Sequence, residues 1–196
     1  NAPKTQVTTT SGNHHISDDG FVGKNLFFIG RNQDNAGESE IMAFDPGVGQ
    51  RSASGGVFSA SNATLSTART RCNGFGTSRI ACIVAGGSGT GGSALNSAEE
   101  YNGSVVIAAG DTLSATKNQP GSCGTLTAGF VQGGNGYLTS DEYDGTNFTS
   151  GGTASTVGGD GSRVAGTQTD ALAAGGYFSS YRDDVESYNG SSWSTE

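Results

Sequence analysis

The sequence predicts an all-β protein built from short antiparallel strands, and three observations support this prediction. First, the chain of 196 residues contains 34 Gly, 25 Ser and 21 Thr, whereas charged residues make up only 14%. Exposed helix faces need many charged residues, so this composition excludes a helical protein. Second, apolar runs such as residues 25–29 and 80–84 argue against a disordered Gly/Ser-rich tract, because they offer apolar surface to bury. Third, the chain repeats itself.

The internal repeat has two anchors. One anchor is a glycine pair that ends an apolar run, and the pairs are Gly86 and Gly87, Gly133 and Gly134, and Gly175 and Gly176. The other anchor is an aromatic residue followed, after a turn, by a bulky residue, and its best copies contain Tyr101, Tyr143 with Phe148, and Tyr188 with Trp193. The interval from Tyr101 to Gly133 equals that from Tyr143 to Gly175. Equal spacing of independent anchors indicates repeated structural units.

The anchors divide the chain into an extended N-terminal segment, residues 1–20, and four repeat units. The approximate units are 21–53, 54–108, 109–150 and 151–196. In the first unit Phe44 is the aromatic anchor, and Gly49 stands where Phe148 stands later. Units of roughly 40 to 50 residues with several short strands are typical of β-propeller blades.

Glycines predict the connections within each unit. Asn-Gly and Asp-Gly favour positive φ, so Asn102–Gly103, Asp144–Gly145 and Asn189–Gly190 should form two-residue turns between the outer strands of a blade. The glycine pairs should end a buried strand near the central axis, because residues without side chains permit close backbone approach.

These residues resemble Kelch repeats, the blade units of galactose oxidase and of Kelch adaptor proteins. The Kelch pattern of a glycine pair, an acidic residue, a tyrosine and a tryptophan is matched by Gly175, Gly176, Glu186, Tyr188 and Trp193. Arg69 resembles the upstream basic residue of the Kelch repeat, and Lys117 matches it loosely. The sequence is most similar to degenerate Kelch-like arrays in structural and fibre proteins of tailed phages. The resemblance covers roughly residues 20–196 and implies a β-propeller, as a four-bladed ring, an open arc completed by another chain, or part of a larger ring.

Charge and hydropathy limit the partners. With 10 basic and 18 acidic residues the net charge is −8, so we expect no nucleic acid as a partner. No apolar run approaches the roughly 18 to 20 residues that span a bilayer, so we expect no membrane insertion. Short acidic runs such as Glu99–Glu100 and Asp141–Glu142 are expected in solvated loops.

Cys72 and Cys82 lie symmetrically about a turn-like segment, so on a hairpin they would be neighbours across two strands. Two interpretations stay open at this stage. The thiols form a disulfide, which would indicate an oxidising compartment, or they are reduced and buried.

The sequence lacks the imidazoles of most catalytic and metal sites, whereas paired carboxylates brought together by propeller loops, and calcium in a loop, stay open as lesser alternatives. Its two histidines, His14 and His15, are adjacent and would project in different directions from a strand. Copper chemistry of the galactose oxidase type and a Ser-His-Asp site both need more imidazoles. We therefore expect no enzymatic activity, no cofactor and no metal.

Binding is the expected activity. In a propeller the loops at residues 31–40, 88–98, 135–140 and 177–183 would share one face, which would carry Tyr137, Tyr177, Phe178, Tyr181 and Arg182. Exposed aromatic rings beside polar groups bind sugars or anchor protein interfaces, whereas the alternative is that these rings pack between blades.

The sequence therefore predicts a non-enzymatic extracellular or virion surface module, above all a structural or host-attachment protein of a phage tail fibre. Its expected partners are other structural chains, with surface glycans as a further class. The alternatives are a lectin-type propeller on a cell surface and, with its ligands lacking, an enzyme similar to galactose oxidase.

Overall fold

The computed structural model describes residues 15–16, 26–31, 37–45, 57–78 and 80–196, with side chains from residue 63 onward except at 79. In these ranges the protein is all-β, as predicted, and the helical content is one 3-10 turn at Thr90–Gly92. The strands form antiparallel sheets of four strands each, and no sheet closes on itself.

Each sheet consists of strands that follow one another in the chain. Sheet 1 contains β1 (His15–Ile16), β2 (Leu26–Arg31), β3 (Gly37–Asp45) and β4 (Val57–Arg69). Sheet 2 contains β5 (Asn73–Ser78), β6 (Ala81–Ala85), β7 (Ala98–Tyr101) and β8 (Val106–Ala108). Sheet 3 contains β9 (Gly121–Thr125), β10 (Ala128–Gln132), β11 (Thr139–Tyr143) and β12 (Phe148–Thr153). Sheet 4 contains β13 (Arg163–Thr167), β14 (Asp170–Phe178), β15 (Ser180–Tyr188) and β16 (Trp193–Thr195).

Sheets 2, 3 and 4 meet along their first strands, where β5 contacts β9 and β9 contacts β13. Just before these strands, the main-chain N–H of Gln119 donates to the carbonyl of Arg71 at 2.8 Å, and that of Gly161 donates to the carbonyl of Gln119 at 3.0 Å. All three residues have positive φ, at 56°, 57° and 74°. The three sheets therefore share one repeated inner edge.

The hydrophobic core lies between successive sheets. Sheets 2 and 3 enclose Phe75, Ile83, Val131, Tyr143 and Phe148. Sheets 3 and 4 enclose a second cluster, which contains Cys123, Phe130, Val164, Ala171, Tyr188 and, at its edge, Trp193. On its other side, sheet 2 packs against Ala63 and Leu65 of β4. Sheets 2 and 3 are thus each covered on one face by the next sheet along the chain.

Phe75 and Gly129 show how closely these faces fit. A Cβ atom at Gly129 would lie 1.9 Å from Cε2 of Phe75, so the ring occupies the space of a side chain at that position. Strand register makes Cys123 the counterpart of Phe75 in the next sheet, and Ala171 the counterpart of Gly129. The large Phe75 therefore lies against Gly129, whereas the smaller Cys123 lies in the same cluster as Ala171.

The glycine pairs follow β6 and β10 directly and lie within β14. All six glycines have positive φ. A Cβ at Gly176 would lie 2.0 Å from the carbonyl oxygen of Gly158, so close main-chain approach requires glycine there.

The turns between the third and fourth strands differ from the prediction. They lie where predicted, but they are loops of four residues, because strand register pairs Tyr101 with Val106, Tyr143 with Phe148, and Tyr188 with Trp193. In the first of these loops the side-chain oxygen of Asn102 accepts the N–H groups of Ser104 and Val105. This Asx arrangement recurs at Asp144 and Asn189 and explains the longer loop.

Sheet 1 differs from the predicted first unit. β4 lies in the predicted unit 54–108 but pairs with β3, and His15–Ile16 of the predicted N-terminal segment pairs with β2. The register places Phe58 opposite Phe44, so Phe58 and not Gly49 holds the position of Phe148. The rest of residues 1–20 lies outside the described residues, as does Gly49.

Of the two interpretations of Cys72 and Cys82, the structure agrees with reduced thiols and not with a disulfide. Both thiols are free. Register pairs Cys82 with Gly76 and Asn73 with Ala85, so the two cysteines lie at opposite ends of the hairpin. Burial raises the pKa of Cys72 to about 11 and that of Cys82 to about 12, which leaves both thiols protonated at neutral pH.

The Phe75 contact predicts that Gly129→Ala destabilises the protein by about 2 kcal/mol or more, because the new methyl group overlaps the ring. The control is Gly89→Ala, whose Cβ would make an ordinary 3.4 Å contact with Leu95. Urea denaturation of both variants measures the difference. Equal stability of Gly129→Ala and Gly89→Ala would contradict the packing.

The free thiols predict that a reducing agent leaves the melting temperature unchanged. They also predict slow alkylation in the native state, since buried thiols present little thiolate. Differential scanning fluorimetry with and without dithiothreitol, followed by mass spectrometry after iodoacetamide, checks both. A melting temperature that drops on reduction would contradict the free thiols and indicate a disulfide.

Candidate functional site

Two groups of polar and aromatic residues recur or stand out in the structure. The first is a set of buried carboxylates on the third strand of sheets 2, 3 and 4, at Glu99, Asp141 and Glu186. The second is a cluster of exposed tyrosines at one end of sheet 4. The carboxylates are buried inside the protein, whereas the tyrosines are open to solvent.

Glu99 ties sheet 2 to the segment that leads into it. Its carboxylate accepts the main-chain N–H of Ser66 at 2.6 Å and forms an ion pair with Arg69 at 2.5 Å. Arg69 is fully buried and also donates to the carbonyls of Gly86 and Ser97, both at 2.9 Å. Burial alone would raise the pKa of Glu99, but the hydrogen bonds from Ser66 and the Arg69 guanidinium outweigh it and hold this pKa below its usual value.

Asp141 and Lys117 repeat the arrangement in sheet 3. The carboxylate accepts the N–H of Ser114 at 2.9 Å and lies 3.3 Å from the Lys117 ammonium. Lys117 is fully buried and donates to the carbonyl of Thr139 at 2.8 Å. Burial lowers the pKa of Lys117, and the nearby carboxylate of Asp141 opposes that shift.

Glu186 performs the same task in sheet 4 without a cation. It accepts the N–H groups of Ser155, Thr156 and Val157 at 2.8 to 3.0 Å. Burial opposes ionisation, yet these three bonds hold the pKa of Glu186 below its usual value. The connectors are the segments that lead into sheets 2, 3 and 4. The connector of sheet 4 has glycine at 158 and 159, at the position that Arg69 and Lys117 occupy in the connectors of sheets 2 and 3.

The expectation that the acidic runs lie in solvated loops is wrong for Glu99 and Asp141. Both lie on strands and are almost fully buried. A signal was present in the sequence, because each acidic residue stands two positions before an anchor tyrosine. Arg69 and Lys117, matched to the Kelch repeat only by resemblance, are their ion-pair partners.

The anchor tyrosines join neighbouring sheets. The hydroxyl of Tyr188 in sheet 4 donates to Glu142 of sheet 3 at 2.7 Å, and that of Tyr143 in sheet 3 donates to Glu100 of sheet 2. Burial and the adjacent carboxylates raise the pKa of both phenols above the ordinary value. These hydroxyls therefore stay protonated and act as structural hydrogen-bond donors.

The exposed aromatic cluster lies on the hairpin of β14 and β15. Register pairs Tyr177 with Tyr181, and their ring centroids are 5.3 Å apart in an edge-to-face arrangement. Tyr177 is 46% exposed and Tyr181 is 90% exposed. Ser179, with φ of 62°, forms the tip between the strands. The hairpin thus presents two aromatic rings to solvent.

Tyr137 of sheet 3 is joined to this hairpin through residues 159 and 160. Its carbonyl accepts the N–H of Gly159 at 2.8 Å, while Asp160 exchanges two main-chain hydrogen bonds with Tyr177. The Asp160 carboxylate also accepts the N–H of Gly136 at 3.3 Å. Tyr137 is 43% exposed, so a third accessible ring lies on a segment bonded to the hairpin.

Phe178 and Arg182 complete the predicted set. Phe178 is partly buried, and its Cβ packs against Gly159. Arg182 is half-buried, donates to the carbonyl of Phe178 at 3.4 Å, and has a buried Nε–H without a partner. Asp160, which stands between two glycines in the sequence, was not among the predicted site residues.

The comparable ends of sheets 2 and 3 lack this cluster. In all three sheets the residue after the glycine pair bonds the segment before the first strand: Ser88 to Thr70, Asn135 to Asn118, and Tyr177 to Asp160. Of these three residues, Tyr177 is the aromatic one. The predicted loop residues 31–40 lie partly outside the described residues.

Among the described residues no group of three or more His, Cys, Asp or Glu side chains could hold a metal ion. His14 and the side chain of His15 lie outside the described residues. No helix in the described part of the chain has the length and apolar character needed to cross a membrane. No protein-family model matches the sequence, and no curated protein is significantly similar to it.

The three bonds to Glu186 predict that Glu186→Gln destabilises the protein at neutral pH by about 2 kcal/mol or more, because the amide nitrogen cannot accept an N–H. Since folding lowers this pKa, the carboxylate stabilises the fold above its ordinary value of 4.5 and loses that effect as pH falls through the lowered value. The stability gap between wild type and variant should therefore narrow in acid.

Urea denaturation between pH 7 and pH 3 measures this gap. The control is Asp183→Asn, which removes an exposed carboxylate and should change stability little. A gap that stays constant with pH would contradict the assignment of Glu186 as an ionised anchor.

Proposed function

We propose that the chain is a Kelch-like β-propeller module that binds surface glycans without catalysing a reaction, in an extracellular or virion appendage such as a phage tail fibre. The observation that carries the proposal is the exposed tyrosine pair on the β14–β15 hairpin, with ring centroids 5.3 Å apart. Consecutive four-stranded meanders that share an inner edge support the propeller arrangement.

The tyrosine pair has the chemistry of a sugar-binding surface. Two rings at 66° to one another form an angled apolar surface against which the C–H face of a pyranose ring could stack. Asp160 lies opposite Tyr177 in an antiparallel bridge, so its carboxylate is on the same face as that ring and supplies a polar group for sugar hydroxyls. This combination of apolar body and polar rim is what a glycan requires.

The non-enzymatic part of the proposal rests on the occupation of the buried ionisable groups. Arg69 pairs with Glu99, Lys117 pairs with Asp141, and Glu186 binds main-chain N–H groups. These groups are committed to connectors between sheets, where a substrate has no access. A general acid or base needs a side chain within reach of its substrate.

The proposal predicts that Tyr177→Ala and Tyr181→Ala each weaken glycan binding by about tenfold or more, because each removes one of the two stacking surfaces. A glycan array identifies the ligand with the wild-type protein, and isothermal titration calorimetry measures each variant. The control is Ile107→Ala, which trims a similarly exposed apolar side chain from the edge of sheet 2.

Unchanged affinity in both tyrosine variants would contradict the binding site. Absence of any glycan ligand on the array would contradict the glycan class and leave a protein partner as the replacement. Immunogold electron microscopy of the native source tests the location: gold along a virion appendage supports the phage assignment, whereas gold on cell envelopes without particles favours a cell-surface lectin.

A further inference from the structure

One face of sheet 4 is uncovered in the structure. Leu172 on this face is 47% exposed, whereas Ile83 and Phe130, at the same register position in sheets 2 and 3, are fully buried. Ala165 and Ala174 on the same face are also exposed, while their counterparts in sheets 2 and 3 are covered by the next sheet. The face therefore has the position of an interface and no occupant.

The covered faces show what such an occupant brings. Sheet 3 covers sheet 2 with Tyr143 and Phe148, and sheet 4 covers sheet 3 with Tyr188 and Trp193. In both cases the tyrosine hydroxyl donates to a glutamate of the covered sheet, Glu100 or Glu142. Sheet 4 carries Ser187 at that position, because register pairs Leu172 with Ser187 as it pairs Phe130 with Glu142.

Sheet 1 carries the complementary change. Its register places Phe44 at the position of the anchor tyrosines, and Phe58 at the position of Phe148 and Trp193. Sheet 1 therefore has the aromatic pair of a covering sheet, but without the hydroxyl that needs a glutamate. The missing hydroxyl in sheet 1 matches the missing carboxylate in sheet 4.

We propose that the uncovered face of sheet 4 binds sheet 1 of a second copy of this chain. Within one chain, β4 of sheet 1 contacts β8 of sheet 2, and Leu172 remains 47% exposed although sheet 1 is present. The interface joins two different surfaces, so each copy offers one half of it at each end. Such head-to-tail contacts build a ring when the rotation closes and a filament when it does not.

The test installs the missing hydrogen bond in two steps. Ser187→Glu alone should weaken self-association at least about 100-fold, because it buries a carboxylate opposite a phenylalanine. Adding Phe44→Tyr should recover at least about tenfold of that loss, since the new hydroxyl donates to the new carboxylate. Sedimentation velocity over a concentration series measures association.

The reference protein and every variant carry Glu196→Gln. Glu196 accepts a hydrogen bond from the Ser187 hydroxyl and would repel a glutamate at position 187. Ser191→Glu, on an exposed turn of the same sheet, adds the same charge away from the face and should leave association unchanged. Leu172→Ser is a second test of the same face. It removes the exposed apolar side chain without adding charge and should also weaken self-association. Thermal melts verify that each variant folds.

Three results would overturn the proposal. A wild-type protein that stays monomeric at every concentration has no such interface. Equal association of Ser187→Glu and Ser191→Glu places the contact elsewhere. If Phe44→Tyr instead restores the thermal stability of a monomeric Ser187→Glu protein, sheet 1 of the same chain covers the face.

Discussion

The buried carboxylate on the third strand of sheets 2, 3 and 4 is the interaction on which the rest of these three sheets depends. The segment that leads into each of these sheets is the end of β4 for sheet 2 and a loop for sheets 3 and 4, and its main-chain N–H groups need acceptors. Glu99, Asp141 and Glu186 supply them. Because the connector also carries the apolar residues that fill the space between sheets, losing the anchor would release part of the core. Leu65, Leu113 and Ala154 are these apolar residues.

Strand geometry lets two adjacent acidic residues perform different tasks. Side chains alternate between the faces of a strand, so Glu99 binds the preceding connector while Glu100 accepts the hydroxyl of Tyr143 from the next sheet. The cations vary more than the carboxylates do. Arginine, lysine and finally glycine occupy the connector position, because the carboxylate can be satisfied by a cation or by additional N–H groups. Glycine there allows the close approach of Gln132, whose amide donates to the carbonyl of Val157 at 2.9 Å.

The sequence was sufficient for the all-β class and for the place of the turns, because local chemistry determines both. The loops that begin at Asn102, Asp144 and Asn189 do not depend on tertiary contacts, since the Asx hydrogen bonds are internal to each loop. The burial of Glu99 and Asp141 could not be judged from composition, because acidic residues are usually exposed and the N–H donors lie about 30 residues away in the chain. The expectation that Cys72 and Cys82 are neighbours across a hairpin was wrong for a similar reason: symmetry about a turn does not fix strand register.

Stability does not explain the tyrosine pair of sheet 4. β14 and β15 each have nine residues, whereas the corresponding strands of sheets 2 and 3 have four or five, so the extra length carries Tyr177 and Tyr181 beyond the shared core. A side chain that is 90% exposed gains almost no burial energy, and its apolar ring favours association with other molecules. Meanwhile the acidic anchors and the buried cations are occupied within the protein. The aromatic hairpin therefore directs two apolar rings outward from the sheet. Asp160 is hydrogen-bonded to Tyr177 and to Gly136, and so joins this hairpin to the repeated inner edge.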